Sequence, residues 1–389
     1  MLIGRDITVI GAGIGGLATA LALALRGARV EVLEQAPEIT EIGAGIQISP
    51  NGMVVLDALG VAGDLIARSV TGQGVRLIDG LSGRDVLRMD LSALGPEHPW
   101  LFVHRADLVD VLANAARAAG VRLRLNAKVE VIAPVGAEIR LTMPAGETLH
   151  RSCVIAADGG RSLARDVVDG TQEPAFTGQT AWRALVPVTA PAVPEVRVFL
   201  GPGRHLVAYP LRDGRTMNLV AVQERPDWVA ESWIQTSAPD VLQAAFADFA
   251  PEVRELLQRV TQVHLWGLFK RPVARRWYRG PLALLGDAAH PTLPFLAQGA
   301  CMALEDAWML AASLSDAGTP EEGFGLYQAR RQDRCARIVA AADGNARAYH
   351  LRAPMRGPAL AALRLGGRVA PGAALKRFAW LHGHDVTRA

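Results

Sequence analysis

Three glycines near the amino terminus are the first residues whose type and spacing could serve a chemical role. Gly11, Gly13 and Gly16 form the pattern GxGxxG between the β-branched run 7–10 and an Ala/Leu-rich segment. In that setting the first glycine turns the chain, the second lets the backbone approach a diphosphate, and the third lets helix pack on strand. Glu34, 21 residues beyond Gly13, could accept hydrogen bonds from ribose hydroxyls. The pattern predicts a dinucleotide site without separating NAD from FAD; the alternative is a purely structural turn.

A histidine and a tyrosine form a second candidate group. In the run HLVAY, His205, Val207 and Tyr209 alternate with other residues. Because side chains on a strand alternate between its two faces, the three would project from one face. The sequence therefore predicts that an imidazole and a phenol lie together; the alternative is that Tyr209 fills the core and His205 lies at a surface edge.

The elements around these residues predict an α/β fold. Residues 7–34 read as strand, glycine turn, helix and strand, a βαβ unit whose short connections imply a parallel, doubly wound sheet. Strand patterns at 182–188, 195–200, 205–211 and 217–222 indicate a second, β-rich layer, and 282–285 is an apolar strand that ends at Gly286 and Asp287. A helix follows over 299–313, and the remainder reads as helix broken by Pro354, Pro358 and Pro371.

We therefore expect a Rossmann-like nucleotide-binding domain with a β-rich substrate domain inserted and a C-terminal helical segment. The predicted boundaries are 1–70, 98–178 and 276–345 for the first, 71–97 and 179–275 for the second, and 346–389 for the third.

Composition excludes several classes of protein. The 389 residues are 50% apolar and 20% charged, which excludes a disordered or coiled-coil chain. Lys and Arg number 41 against 38 Asp and Glu, without runs of like charge, so no nucleic-acid or membrane partner is expected. The uncharged stretch 7–25 has the length of a membrane span, but its glycine cluster argues against one. Three cysteines whose spacing fits no disulfide, zinc or CxxC site indicate a reducing cytoplasm, and no metal is expected.

Four further segments resemble the group A flavin-dependent aromatic hydroxylases, whose fold is that of para-hydroxybenzoate hydroxylase. They are EIGAGIQISPN at 41–51, HRADL at 104–108, ADGGRSLAR at 157–165 and GDAAH at 286–290 with the PTLPFLAQGACMALEDA that follows. The resemblance implies that FAD is the nucleotide. It implies cofactor contacts from Gly45, Arg105, Asp158 and Asp287, and from the helix start at Gly299 and Ala300, whose amides would meet the negative charge of reduced flavin.

The same resemblance implies a reaction. NADH or NADPH, bound transiently because the chain has no second GxGxxG, would reduce FAD, and O2 would then form a C4a-hydroperoxyflavin that hydroxylates a phenolate ring. His205 and Tyr209 would help remove the phenol proton. Gln47, Arg183 and Pro294 are the candidate contacts to a small aromatic acid. His290 is expected to be structural, and Cys301 to be a small hydrophobic residue rather than a catalytic thiol.

Within the family, LPFLAQGACMALEDA and the C-terminal WLHGHD resemble the salicylate and 3-hydroxybenzoate hydroxylase-like subgroup. Phe295 and Gln47 stand where 6-hydroxynicotinate 3-monooxygenases tend to have histidine, which argues against a nicotinate-type substrate. Two alternatives remain: an epoxidase or tailoring hydroxylase of the same fold with a non-benzoate or polycyclic substrate, and a non-catalytic flavin-binding protein. The protein is expected to be a monomer or homodimer, with its C-terminal segment capping the flavin domain.

Overall fold

The structure is a computed structural model that describes residues 2–39, 45–225 and 236–388. Its strands are β1 Asp6–Ile10, β2 Arg29–Leu33, β3 Gly45–Ile48, β4 Val70–Thr71, β5 Gly74–Asp79, β6 Asp85–Asp90, β7 Leu101–His104, β8 Arg122–Arg124, β9 Val131–Val135, β10 Glu138–Thr142, β11 Thr148–Arg151, β12 Val154–Ala156, β13 Ala175–Pro187, β14 Glu195–Gly201, β15 Arg204–Leu211, β16 Thr216–Glu224, β17 Thr236–Ser237, β18 Val263–Lys270, β19 Tyr278–Arg279 and β20 Leu282–Leu284. Its helices are α1 Ile14–Ala24, α2 Pro50–Ala58, α3 Ala62–Ile66, α4 Arg105–Ala118, α5 Leu163–Asp169, α6 Pro239–Ala245, α7 Pro251–Gln258, α8 Gly299–Asp316, α9 Pro320–Tyr349, α10 Arg356–Val369, α11 Ala373–Arg377 and α12 Ala379–His382.

A six-stranded sheet, in the order β19-β20-β12-β1-β2-β8, forms the first layer. All its strands are parallel except β19, and α1 packs against α4 and α8. The register pairs Ile10 with Leu33 and with Ala156, and Ala156 with Leu284. Four strands therefore end together at one carboxyl edge, where ligands bind in open parallel sheets. The α/β prediction is confirmed.

An eight-stranded sheet, in the order β17-β18-β13-β16-β15-β14-β5-β6, forms the second layer. One of its faces forms a buried apolar core in which Trp182 and Phe199 pack against Phe246 and Phe249. Phe246 is the C-cap residue that follows α6, and Phe249 lies between α6 and α7. The other face holds His205 and residues that alternate with the core positions. Small three-stranded sheets, β11-β10-β9 and β3-β7-β4, complete the structure.

Two local expectations differ from the structure. The sequence pattern at 138–143 and 148–155 predicts a hairpin of two continuous strands, but the structure divides the second into β11, which pairs with β10, and β12, which joins the parallel sheet beside β1. An apolar run alone could not show that its two halves pair with different neighbours. Pro358 was expected to break a helix, yet it lies in the first turn of α10, where a missing backbone N–H costs no helical hydrogen bond.

None of the described helices is both long enough and apolar enough to cross a membrane.

Candidate active site

The glycine loop between β1 and α1 shows a different physical requirement at each glycine. Gly11 has φ +98°, and a Cβ there would lie 2.5 Å from the carbonyl oxygen of Ala157. A Cβ on Gly16 would lie 1.9 Å from the carbonyl oxygen of Gly11, so helix and strand pack without room for a side chain. At Gly13 no heavy atom lies within 4 Å of the Cβ position among the described residues. Two glycines thus serve packing, and the third leaves open space beside the helix start.

Three acids follow the strands that end at the carboxyl edge. Glu34 accepts hydrogen bonds from the backbone N–H of Ala12 at 2.7 Å and of Ala36 at 2.9 Å, which brace the glycine loop and leave further acceptor sites on its carboxylate. Asp158 accepts from the N–H of Ala164 through Oδ2, while no described residue hydrogen-bonds its buried Oδ1. Burial raises the pKa of Asp158. Its unpartnered oxygen therefore favours a donor supplied from outside the chain.

The third acid, Asp287, follows β20 in a short 3-10 turn at the carboxyl edge. Its side chain is exposed, yet burial by the surrounding protein raises its pKa, against the opposing positive charges of His290 and Arg105. Arg105, the first residue of α4, therefore lies close enough for its charge to act on the Asp287 carboxyl group.

The start of α8 carries the expected amide donors. Gly299 and Ala300 are half-buried at its first turn, and the helix has no side-chain cap. Its N-cap residue Gln298 is buried and donates from Nε2 to Oγ of Ser49 at 2.9 Å. Asn51 donates from Nδ2 to Oε1 of Gln298 at 3.0 Å. Hydrogen bonds behind the helix start therefore fix its position relative to α2, while no described residue accepts from the amides of Gly299 and Ala300, which could donate to a ligand.

These features fit a flavin dinucleotide. Gly13 and the start of α1 would face the diphosphate, Glu34 the adenosine ribose, and Asp158, Asp287 and Arg105 the ribityl chain and diphosphate. Gly299 and Ala300 would face the isoalloxazine ring, where a helix N-terminus stabilises negative charge. The expected loop contact at residues 41–44 lies outside the described residues, while Gly45 is described.

Gly45 joins the cofactor side to the second sheet. A Cβ there would lie 2.7 Å from Cε2 and 2.8 Å from Oη of Tyr209, and 2.7 Å from Cγ of Asn218. The N–H of Gly45 donates to Oδ1 of Asn218 at 2.8 Å, whereas Nδ2 of that buried amide has no partner among the described residues. The loop expected beside the flavin therefore contacts Tyr209 directly.

The open face of the second sheet carries His205, Val207 and Tyr209 on β15, as the alternation of the sequence predicts. Arg183 pairs across the sheet with Val220, which pairs with Val207, so the three lie in one row on that face. Arg183, Val220 and Val207 are half-buried, whereas Tyr209 and His205 are buried.

Arg183 is the cation of this face. Its Cζ lies 4.9 Å from the ring centroid of Trp266, which orients the guanidinium by a cation–π contact. Burial raises the pKa of Tyr209, and the charge of Arg183 opposes that shift, which places the guanidinium near the phenol. Tyr209 is therefore a neutral phenol at physiological pH, beside a positive charge.

The other expected substrate contacts differ in placement. Gln47 is buried on β3, two residues from Gly45, and its Oε1 accepts from Nε1 of Trp100 at 3.1 Å. The ring of Trp100 in turn contacts that of His382 in the C-terminal segment, in a tilted arrangement with centroids 4.7 Å apart. Gln47 is thus oriented by Trp100 and not by Arg183. Pro294 is exposed on a short 3-10 turn, next to Phe295, whose ring lies 5.5 Å from that of His205.

The end of α9 and the residue after it also contribute to this face, which no pattern in the sequence indicated. The rings of Tyr349 and His350 lie 5.2 Å and 4.9 Å from that of His205. Asn218 and Trp266 were missed as well. Asn218 could have been found as a polar residue in an otherwise apolar strand, but no local pattern links residues 349 and 350 to a strand 140 residues earlier.

His290 and Cys301 belong to the buried framework. His290 contacts Asp306 through Nε2 at 2.5 Å, rather than Asp287, and Arg331 contacts the other Asp306 oxygen at 2.8 Å. His290, Asp306 and Cys335 cluster as potential metal ligands, but the Arg331 guanidinium already supplies a positive charge there. Burial raises the pKa of the Cys301 thiol to about 11, which leaves it protonated and poorly nucleophilic.

Comparisons with known proteins agree with this geometry. A family model described as an FAD binding domain matches residues 5–342. The chain is 37% identical to a 3-amino-4-hydroxybenzoate 2-monooxygenase from Streptomyces cremeus, over 90% of this chain and 89% of that protein. It is 34% identical to a 3-hydroxybenzoate 6-hydroxylase from Klebsiella oxytoca, over 88% of each.

Among solved structures, Klebsiella pneumoniae HpxO complexed with FAD and uric acid is similar, with a TM-score of 0.83, 27% identity and 95% of each chain covered. The glycine loop, the acids at the carboxyl edge and these matches agree on one cofactor and one class of enzyme. The chain belongs to the FAD-binding family of flavin-dependent aromatic hydroxylases.

Proposed function

We propose that this protein hydroxylates a small aromatic acid that carries a ring hydroxyl, of the hydroxybenzoate type. The observation that carries the proposal is the contact of Gly45 with Tyr209, because it joins the flavin side of the molecule to a face that offers a phenol, an imidazole and a guanidinium. Relatives named for 3-hydroxybenzoate and 3-amino-4-hydroxybenzoate support the substrate class.

FAD, when bound, accepts hydride from NADH or NADPH and activates O2, so that one oxygen atom enters the ring and the other leaves as water. The chain's residues bind and orient the acid. Arg183, fixed over Trp266, would pair with the carboxylate through charge-assisted hydrogen bonds. Tyr209, a neutral phenol, would hydrogen-bond the substrate's ring oxygen.

His205 would accept the proton of the substrate hydroxyl, because a phenolate ring is more electron-rich than a phenol and is attacked more readily by an electrophilic oxygen. Burial lowers the pKa of His205 well below its usual value, so its imidazole is neutral and has a lone pair to offer at physiological pH. Val207, Val220 and Phe295 would cover the apolar ring and limit the access of water.

The names of both relatives suggest the position of attack. C2 of 3-amino-4-hydroxybenzoate and C6 of 3-hydroxybenzoate each adjoin the carbon that bears the carboxylate. We propose the same relation here, since a carboxylate held by Arg183 would fix the neighbouring carbon relative to the flavin.

The test is oxidation of NADH and NADPH by the FAD-loaded protein in air, with peroxide assayed alongside. The panel contains 3-hydroxybenzoate, 3-amino-4-hydroxybenzoate, salicylate, 4-hydroxybenzoate, 6-hydroxynicotinate and uric acid. The proposal expects a hydroxybenzoate to accelerate oxidation with little peroxide. Acceleration by uric acid alone would instead favour the alternative of a non-benzoate substrate, which the similarity to HpxO brings into the panel.

We also propose that the protein works in a reducing compartment, the cytoplasm, as a monomer or homodimer. Its three cysteines are buried free thiols, which supports a reducing environment. The proposed division into flavin, substrate and C-terminal parts keeps the boundaries given by the sequence, supported by the separate parallel and eight-stranded sheets.

A further inference from the structure

A chain of hydrogen bonds leads away from His205. Its Nδ1 lies 2.7 Å from Nε2 of His350, the C-cap residue that follows α9. Nδ1 of His350 lies 3.1 Å from Oε1 of Glu224, the last residue of β16. Glu224 accepts from Arg352 at 2.6 Å through its other oxygen. Three separate elements therefore place two imidazoles and a carboxylate in series.

Exposure increases along this series. His205 is 2% exposed and His350 is 4% exposed. The side chain of Glu224 is 36% exposed, and that of Arg352 is 64% exposed. The series thus begins at the buried substrate face and ends in solvent.

The chemistry of the groups gives the series a direction. A carboxylate only accepts, so Nδ1 of His350 must donate to Glu224, and its Nε2 is then an acceptor. Nδ1 of His205 must donate to that acceptor, which leaves the lone pair of His205 on Nε2. Among the described residues no hydrogen bond occupies Nε2 of His205. Gln179 also approaches Nδ1 of His350, but its distance of 3.4 Å is longer than that of Glu224.

The charge states support this direction. Burial lowers the pKa of His350, against the opposing charge of Glu224, so His350 is neutral like His205. Partial burial raises the pKa of Glu224, but the hydrogen bond from Arg352 and the neighbouring His350 outweigh it and lower the pKa overall. The end of the series is therefore an anion.

We propose that His350 and Glu224 relay the proton of the substrate hydroxyl from His205 to solvent. The inference rests on the proposed function, in which His205 is the base. The substrate O–H bond breaks as an N–H bond forms at Nε2 of His205. The proton on its Nδ1 passes to Nε2 of His350, and the proton on Nδ1 of His350 passes to Glu224, which releases it to water. The substrate keeps the electron pair as a phenolate, and both imidazoles remain neutral.

The backbone holds the relay residues in place. The N–H of Gly203 donates to the carbonyl oxygen of His350 at 3.1 Å, and the N–H of Glu224 donates to the carbonyl oxygen of Gly203 at 2.9 Å. The turn between β14 and β15 thus fixes both partners at once, and His350 does not depend on its side-chain contacts alone for its position.

The first test needs no turnover. Nitrogen-15 NMR of histidine-labelled, FAD-loaded protein at pH 7 distinguishes the two neutral tautomers and the imidazolium, and single His→Gln variants assign the signals of the nine histidines. The proposal expects both His205 and His350 to be neutral and to carry hydrogen on Nδ1. An Nε2–H tautomer or an imidazolium at either residue would overturn it.

The second test uses His350→Gln, because glutamine can accept from His205 and donate to Glu224 but cannot relay a proton. Glu224→Gln removes the terminal acceptor in the same way. We expect kcat to fall about 10- to 100-fold, part of the contribution of a general base, with KM changed less than about 3-fold. His150→Gln is the matched control, since His150 is half-exposed on the small sheet and contacts only Glu138 among the described acids.

The outcomes separate the two proposals. If His205→Gln loses activity while His350→Gln and the control match the unmodified protein, the relay is wrong and the proposed function stands. If His205→Gln also keeps full activity, His205 is not the base and the relay falls with that assignment. If no aromatic acid is turned over, the proposed function fails and the relay falls with it, whereas an Nε2–H tautomer or an imidazolium at either histidine overturns the relay alone.

Discussion

Alanine substitutions at two glycines of the same loop should have different effects: Gly16→Ala should lower the stability of the protein, and Gly13→Ala should lower its affinity for FAD. At Gly16 the new Cβ would lie 1.9 Å from the carbonyl oxygen of Gly11, far inside the contact distance of carbon and oxygen. The clash is with backbone that cannot rotate away, so Gly16→Ala should cost at least about 3 kcal/mol, the upper part of the range for overpacking. At Gly13 the Cβ meets no described atom within 4 Å, and φ is −73°, which alanine adopts freely.

Gly13→Ala should therefore leave the apoprotein nearly as stable as before, within about 1 kcal/mol for a changed N-cap residue. Its methyl group would instead occupy the space that the diphosphate needs. Losing one charge-assisted hydrogen bond costs about 1.5 to 3 kcal/mol, which corresponds to a loss of about 10- to 150-fold in FAD affinity.

The assay measures both quantities on the same preparations: thermal unfolding of the apoprotein, and FAD binding by quenching of flavin fluorescence. Gly16→Ala should unfold early or fail to express, whereas Gly13→Ala should unfold near the unmodified protein and bind FAD weakly. Unchanged FAD affinity in Gly13→Ala would show that the space beside that glycine does not hold the diphosphate.

Four further outcomes follow from the site. Gly45→Ala should lower kcat and cost about 1 to 3 kcal/mol of stability, measured by steady-state kinetics and thermal unfolding, because its Cβ would press on Tyr209 at 2.7 Å. Arg183→Met should raise KM for an aromatic acid about 10- to 150-fold with a smaller change in kcat; equal KM values would contradict a carboxylate contact. Cys301→Ala should keep kcat within about 2-fold, since the thiol is buried and protonated. Burial lowers the pKa of His382 from 6.5 to about 4, so the unfolded state binds the proton more readily than the folded state. The free energy of unfolding should therefore fall by about 3 kcal/mol as the pH falls from 6.5 to 4. His382→Phe should reduce this pH dependence, as measured by denaturant titrations at each pH.

The cofactor half of the site could be predicted from the sequence because the residues that form it are close together in the chain. The turn, helix and strand that place Gly11, Gly13, Gly16 and Glu34 lie within 30 consecutive residues, and each glycine has one physical requirement. Asp287 was also predictable as a side chain at the end of an apolar strand.

The substrate half was predictable only in part. Strand alternation placed His205 and Tyr209 on one face, but the hydrogen-bond partner of His205 follows α9, and that residue's own partner lies on β16. Helix periodicity predicts which side of α9 is apolar, not which strand its last residue reaches. The orientation of Gln47 toward Trp100 likewise depends on the packing of the C-terminal segment, which no spacing in the sequence reveals.

The proposed monooxygenase reaction is tested most directly by running it under ¹⁸O2 with the hydroxybenzoate that best accelerates NAD(P)H oxidation and measuring the mass of the product by mass spectrometry. A monooxygenase places one labelled oxygen atom in the ring for each molecule of NAD(P)H consumed, at the carbon beside the carboxylate-bearing one in the relation proposed above. Unlabelled product, or labelled peroxide in place of a hydroxylated acid, would contradict a monooxygenase reaction on this acid.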